Sequence, residues 1–333
     1  MGYQEEKQEI DNKKKKATVI TLIVIAVLVV ALCVFAAFVP PSTWAYYVAL
    51  PKIQARKDGE LKITFLDVGQ GDCTLIELPD GKTMLIDGGN GGADATKSIL
   101  RYLNASKIDK IDYLVLTHAD VDHCGGLERI MQLKEIGAAY LPITAPEKDS
   151  AYASFYQAVQ ENGCEWDFGT RGVSIESTDT RYSFTLQFLN PLSQDVEQDE
   201  LDPNEASAMI WLDYHGVSAL FTGDAPTQAE NRLMEHYELG LLDNSKVDLT
   251  DTEILKISHH GGEDSTSLGF LNFLGAETAM ISCGAGNAYG HPVSSLLARL
   301  KVAGLDVYRT DLQGHICLTI SPDGTYRVNV LGG

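Results

Sequence analysis

The chain has 333 residues, 44% hydrophobic and 22% charged, with 26 Lys and Arg against 46 Asp and Glu. That much apolar sequence builds a packed core and excludes a disordered chain. A net charge of −20 argues against sequence-blind clamping of a nucleic-acid backbone, which needs lysine and arginine. The acidity is uneven: residues 1–16 carry five lysines against four acids, which leaves −21 beyond them.

In chain order, a basic stub (1–16) ends in Lys13 to Lys16 and precedes an uncharged apolar run, 17–39, interrupted only by Thr18 and Thr21. As a helix, those residues reach about 34 Å, enough for a bilayer core of roughly 30 Å. The four lysines predict that the stub is cytoplasmic and that everything after residue 39 lies outside. A signal peptide cleaved near Ala36 and Ala37 is the competing reading, but its apolar core usually spans only about 7–15 residues. An uncleaved single-pass anchor is therefore expected. Residues 40–57, with Trp44, Tyr46 and Tyr47, read as a tether, and one large folded domain fills 58–333. Of the six cysteines, Cys33 falls in the anchor. Cys73, Cys124, Cys164, Cys283 and Cys317 are scattered, so small buried side chains are expected rather than disulfides or a cysteine metal site.

From Glu60 onward, short β-rich runs alternate with turn signals and helices. LKITFLDV is followed by a hairpin through Asp80-Gly81, a helix around Ala95–Leu103 and the strand DYLVLTH. A helix from Gly125 to about Leu133 leads into a loop-rich middle. Next come FTLQFLNP, SAMIWLDY and SALFTGD, a helix near Gln228–His236, and the strand EILKISHH. TAMISCG, a helix over about Val293–Ala303, and three closing strands complete the chain. Strand pairs with interspersed helices predict an α/β protein with mixed sheets.

The chemistry concentrates at strand ends. His118, Asp120, Asp122 and His123 follow the apolar strand YLVL and precede a glycine-led helix. Asp224 ends LFTGD after a turn-permitting Gly223, His259 and His260 end ILKISHH, and Asn204 and Ser207 precede SAMIWLDY. A lone histidine at a strand end is ordinarily a satisfied surface group, and an aspartate in Thr-Gly-Asp is ordinarily turn chemistry. Imidazoles and carboxylates at three strand ends together instead predict a divalent-metal site, with one or two ions. His215 in a hairpin turn and His236 on a helix read as surface residues, and His315 is ambiguous.

The order HADVDH, TGD, SHHGG resembles that of metallo-β-lactamase-fold hydrolases. FLDVGQGD (65–72), IDGG (86–89), YGHP (289–292) and the segment 310–314 resemble the soluble hydrolase domain of ComEC-type competence proteins. The resemblance covers roughly residues 60–330. It implies a four-layer αββα sandwich after the transmembrane helix, with the site where the sheets meet. It also implies His118, Asp122, His123 and Asp224 as metal ligands, with one of His259 and His260. Asp120 stands where the wider family has histidine, and Asn204 and Ser207 stand near another lost histidine, as in the ComEC-like subgroup. Oxygen in place of imidazole hardens that half of the site toward manganese or magnesium, so zinc or manganese is the expected cofactor.

A metal there would activate water for hydrolysis. Asp120 or Asp122 would orient the water, and His260, His259 or His291 would stabilise charge or protonate the leaving group. Asp67, Gln70 and Asp72 are expected to shape the substrate-binding edge. The expected function is a membrane-anchored, extracytoplasmic phosphodiesterase or nuclease, with DNA among its candidate substrates and no protein partner. One span cannot form a DNA pore. An ester, lactone or thioester hydrolase of the same fold is the alternative enzyme. A binding protein that keeps the fold without turnover is the non-enzymatic one.

Overall fold

A computed structural model describes residues 2–38, 41–148, 150–177, 179–192, 201–242 and 246–331. Val39 and Pro40, where the expected span meets the tether, lie outside the described residues, as do the last two residues of the expected hydrolase domain. The chain divides into two compact units, Met1–Leu50 and Pro51–Gly333. In the first, α1 (Gly2–Phe38) is a single helix whose Asp11–Ala37 stretch is long and apolar enough to cross a membrane. Thr18 and Thr21 donate their hydroxyls back along the helix, Thr18 to the Lys14 carbonyl at 3.0 Å and Thr21 to that of Ala17 at 2.9 Å. Lipid demands such internal satisfaction.

The second unit begins with β1 (Leu61–Phe65), β2 (Thr74–Glu77), β3 (Thr83–Ile86), α2 (Ala93–Ala105) and β4 (Lys110–Val115). Short helices α3 (Val121–Cys124) and α4 (Leu127–Met131) precede β5 (Glu135–Leu141), α5 (Ala151–Asn162), β6 (Glu165–Phe168) and β7 (Ser174–Glu176). Then come β8 (Phe184–Asn190), β9 (Met209–Tyr214), β10 (Val217–Phe221), α6 (Thr227–Glu238) and β11 (Ile254–Lys256). The rest is α7 (Leu268–Leu274), β12 (Thr278–Ile281), α8 (Ser294–Ala303), β13 (Asp306–Arg309), α9 (Thr310–Gln313), β14 (His315–Ile320) and β15 (Tyr326–Leu331).

These strands form an eight-stranded sheet, ordered β15-β14-β1-β2-β3-β4-β5-β6, and a seven-stranded one, ordered β13-β12-β11-β10-β9-β8-β7. Alternation along the strands divides the apolar residues between two faces. Ile63 and Phe65 of one sheet and Ile210, Leu212 and Phe221 of the other pack together in the core between the sheets. The Phe65 and Phe221 ring centroids are 6.2 Å apart. Met209, Trp211, Leu220 and Leu255 point the other way, against Leu233 of α6, Phe270 and Leu274 of α7 and Leu296 and Leu300 of α8. On the opposite side Thr64, out of phase with Ile63 and Phe65, meets the Tyr102 hydroxyl of α2 at 3.1 Å. The layers are therefore α, β, β, α. Strands buried on both faces read as continuous apolar runs, which makes them legible in the sequence.

The expected loop-rich middle carries β5, α5, β6 and β7. Edge strand β6, Glu-Trp-Asp-Phe, is largely exposed and gives no alternating pattern to read. The expected Gly125–Leu133 helix is the shorter α4, and a separate helical turn, α3, precedes it across Gly125-Gly126; ILKISHH leaves its strand at Lys256 for a tight turn. Gly126 is required by close approach: a Cβ there would fall against the Gly88 carbonyl oxygen. This contact docks the HADVDH segment on the loop after β3. Gly126→Ala is expected to destabilise the fold by about 1–3 kcal/mol through overpacking, read as a lowered midpoint in thermal or urea unfolding.

Candidate metal centre

The loops leaving β3, β4, β10 and β11 carry Asp87, His118 to His123, Asp224 and His259-His260 to one place. The Asp87 carboxylate, buried beyond the end of β3, accepts the Thr117 N–H at 2.8 Å and the Thr117 hydroxyl at 2.8 Å. It also meets His123 Nδ1 at 2.8 Å. Because the Thr117 hydroxyl proton goes to Asp87, its oxygen is left to accept from His118 Nδ1, 3.0 Å away. His260 Nδ1 faces the Ser282 carbonyl oxygen at 3.0 Å, which only accepts, and His259 Nδ1 faces Asp264 at 3.0 Å. In all four rings the Nδ1 proton has a fixed acceptor, so the Nε2 lone pair is what each ring presents inward.

Those Nε2 atoms surround one carboxylate. Asp224 Oδ2 lies 3.9 Å from His118, 3.3 Å from His123, 3.9 Å from His259 and 3.5 Å from His260. Asp122 Oδ2 adds a contact of 3.1 Å to His260 Nε2, and Asp120 Oδ2 one of 3.7 Å to His118 Nε2. Asp120 caps α3 through its backbone alone, so its half-exposed carboxylate is not spent on the helix. His259 and His260 sit at φ 50° and 53°, and Asp87 at φ 62°. Side-chain-bearing residues rarely adopt this left-handed region, and such strain gathers at functional sites.

Electrostatics report a site short of positive charge. Burial opposes an ionised Asp224, yet His260, His123 and His118 hold its carboxyl well below the usual range. Burial also opposes charge on His260, but Asp224 and Asp72 push it up to about 10. Burial and the neighbouring His123 take His118 down to about 3. The donor set fits a divalent cation on a direct observation: among the described residues the buried His118 Nε2, His123 Nε2 and Asp224 Oδ1 have no hydrogen-bond partner. Ligand atoms of Asp72, His123, Asp224 and His260 lie within 4.8 Å of one another.

Of the other expected site residues, Gln70 and His291 line the same pocket, of about 100 Å3, with Asp120, Asp122, Asp224 and the histidine pair. Gln70 Oε1 accepts the Gly284 N–H at 3.2 Å. His291 lies across His260 (centroids 6.5 Å) and edge-on to His259 (5.5 Å). Ser207 acts from behind, its Oγ accepting the Asp224 N–H at 3.2 Å, and the buried Asn204 Oδ1 has no partner among the described residues. Asp67 is a turn residue, its carboxylate accepting the Gly69 N–H at 3.1 Å. His315 Nδ1 accepts the Asp67 N–H at 2.9 Å. His215 lies in the β9–β10 turn and His236 on α6.

Asp72 sits behind His260, its Oδ1 3.3 Å from Nδ1, and its other oxygen is paired with the buried Lys256 ammonium. Sequence reasoning passed over Lys256, Asp87, Asp264 and Ser282. Lys256 had a signal: a lysine inside the apolar run Ile-Leu-Lys-Ile must find a buried partner.

Four layers with imidazoles and carboxylates converging where the two sheets meet define a metal-dependent hydrolase fold. The metallo-beta-lactamase superfamily profile matches residues 66–285, and the chain belongs to that superfamily. It is 29% identical over 275 residues to ComE operon protein 3 of Bacillus subtilis, covering 77% of this chain and 33% of that protein. It is 30% identical over 264 residues to competence protein ComA of Neisseria gonorrhoeae, covering 78% and 32%. The chain thus spans about one third of the length of these relatives. Among solved structures, CmlA, a diiron beta-hydroxylase from Streptomyces venezuelae, is similar with TM-score 0.47 at 13% identity, over 83% of this chain and 55% of that one.

The Lys256–Asp72 pair is testable apart from any activity. Lys256→Met strands a buried carboxylate and is expected to cost about 3–5 kcal/mol in urea unfolding. Adding Asp72→Asn should recover much of that loss, and simple additivity in the double-mutant cycle would show that the two groups are not coupled.

Proposed function

We propose that the chain is a membrane-anchored, extracytoplasmic phosphodiesterase or nuclease working with metal-activated water. The observation that carries the reading is the ring of four Nε2 atoms around Asp224, with orphaned buried donors on both sides. His118 and Asp120 would hold one half of the centre, and Asp122, His123 and His260 the other, with Asp224 between. His260 rather than His259 suits the ligand role, because it is buried and its Nε2 lies 3.1 Å from Asp122. A divalent ion so held would activate water and polarise the scissile phosphoryl group. Three aspartates in that set favour manganese over zinc.

The chain's own residues would do the rest. Half-exposed Asp120 is placed to orient the attacking water. His259, steadied by Asp264, and His291, at the mouth, are placed to meet the leaving oxygen. The small pocket suits a phosphoryl group, and the two competence-protein relatives favour a nucleic-acid source for it.

The full chain in detergent is expected to cleave bis-p-nitrophenyl phosphate and single-stranded DNA, faster with manganese than with zinc. Asp122→Ala or a chelator should lower turnover about a thousandfold or more, the scale of several kcal/mol of metal assistance. Turnover of an ester panel without diester cleavage would replace the reading with the esterase one. Silence on every substrate, unchanged by Asp122→Ala, would leave a binding protein.

Orientation is separately testable. Lys13 to Lys16 should remain in the cytoplasm, so alkaline phosphatase fused after residue 333 is expected to be active. An inactive but expressed fusion would place the catalytic unit inside.

A further inference from the structure

We propose that Tyr289 is a stacking platform for the nucleobase next to the scissile phosphate, an inference that rests on the phosphodiester reading above. A pocket of about 100 Å3 holds a phosphoryl group but not a nucleoside. For scale, liquid water takes about 30 Å3 per molecule, and pockets that engulf a drug-sized ligand run from about 300 Å3. The rest of a nucleotide must therefore lie on the rim, and on the rim stands Tyr289, 69% exposed.

Single exposed aromatics are ordinary on protein surfaces. This one is set apart by how it is held. Its ring stacks on His291 with centroids 5.7 Å apart and planes 27° from parallel, and His291 in turn lies across His260. The loop beneath is pinned by one side chain, Asn287. Its Oδ1 accepts the N–H groups of Tyr289 at 3.2 Å and His291 at 3.0 Å, and its Nδ2 donates to the carbonyls of Gly284 at 2.9 Å and His291 at 2.6 Å. One face of the tyrosine is thus fixed against a residue of the centre while most of the ring stays in water. Such a platform is pre-organised, so little ordering cost opposes binding.

Charge points the same way. Among the described residues lining the pocket there is no lysine or arginine, and three are aspartates. Beyond the phosphate bound in the centre, ionic contacts cannot supply affinity in so acidic a mouth. Stacking can, and it accepts any base because every base has a π face.

The test compares two 5′-monoesters of the same sugar, thymidine 5′-monophosphate and 2-deoxyribose 5-phosphate, the second with a hydroxyl at C1 in place of the base. Each is titrated calorimetrically into the manganese-loaded full chain in detergent, so no turnover is needed. The nucleotide is expected to bind about 5- to 150-fold more tightly, the range that base–aromatic stacking supplies. Tyr289→Ala should bring that ratio close to one, and Tyr289→Trp should keep it. Equal affinities in the unaltered chain, a preference that survives Tyr289→Ala, or no nucleotide binding at millimolar concentration would each overturn the proposal. A chain that hydrolyses bis-p-nitrophenyl phosphate without base preference fails this inference alone. One that prefers the nucleotide but cleaves no diester fails the phosphodiesterase reading alone.

Discussion

The Asp224 carboxylate lies within 3.3–3.9 Å of four imidazole Nε2 atoms, and much of the site's architecture serves to hold it there. Its backbone N–H rests on Ser207, and the Gly223 carbonyl just before it accepts from His259 N–H at 3.2 Å and Ser258 Oγ at 3.3 Å. Gly223 itself has φ +52°, and a Cβ there would press on Ser207 and Thr117. Four rings, two further carboxylates and three strand ends therefore share one point of convergence. Collecting so many polar groups in a buried place is costly unless charge balances. A divalent cation would supply that balance, and metal binding would then contribute to folding of this edge.

Around the centre runs a ring of groups whose task is orientation. Asp87 fixes His123 and Thr117, Thr117 fixes His118, Ser282 and Asp72 fix His260, and Asp264 fixes His259. Each acts on the Nδ1 side, directly or through one hydroxyl, and so leaves Nε2 for the interior. Lys256 closes the series by pairing with Asp72, bringing a buried positive charge close to the centre without occupying it.

The net charge of −20 acquires a more local meaning in this setting. Part of it lines the pocket, where Asp120, Asp122 and Asp224 would meet a cation absent from the formal count. The remainder leaves a mouth with little means of gripping a phosphate chain electrostatically. A rigid aromatic beside the pocket answers that shortage with a contact indifferent to charge.

Much was readable in the sequence, and for physical reasons. The apolar run of α1 and the strands buried on both faces are local patterns of hydrophobicity, and HADVDH, TGD and SHHGG keep their candidate ligands close along the chain. The exposed edge strand β6 carries no comparable pattern, whereas α5 does: Tyr152, Phe155 and Val159 recur at spacings of three and four between the Ser150 cap and Gly163, a signal that the expectation of a loop-rich middle overlooks. Length, composition and residue order by themselves determined the membrane-length helix, an α/β class with mixed sheets and the residue types of the centre, while the αββα layering followed only from the family resemblance. Only the tertiary structure decided which atoms meet. It set His260 deeper than His259, turned Asp72 toward Lys256, recruited Asp87 from another loop and stood Tyr289 at the rim. Those outcomes depend on ring orientation and on contacts between segments as far apart as Asp122 and His260, 138 residues along the chain. Hydrophobic periodicity and motif spacing carry no record of either.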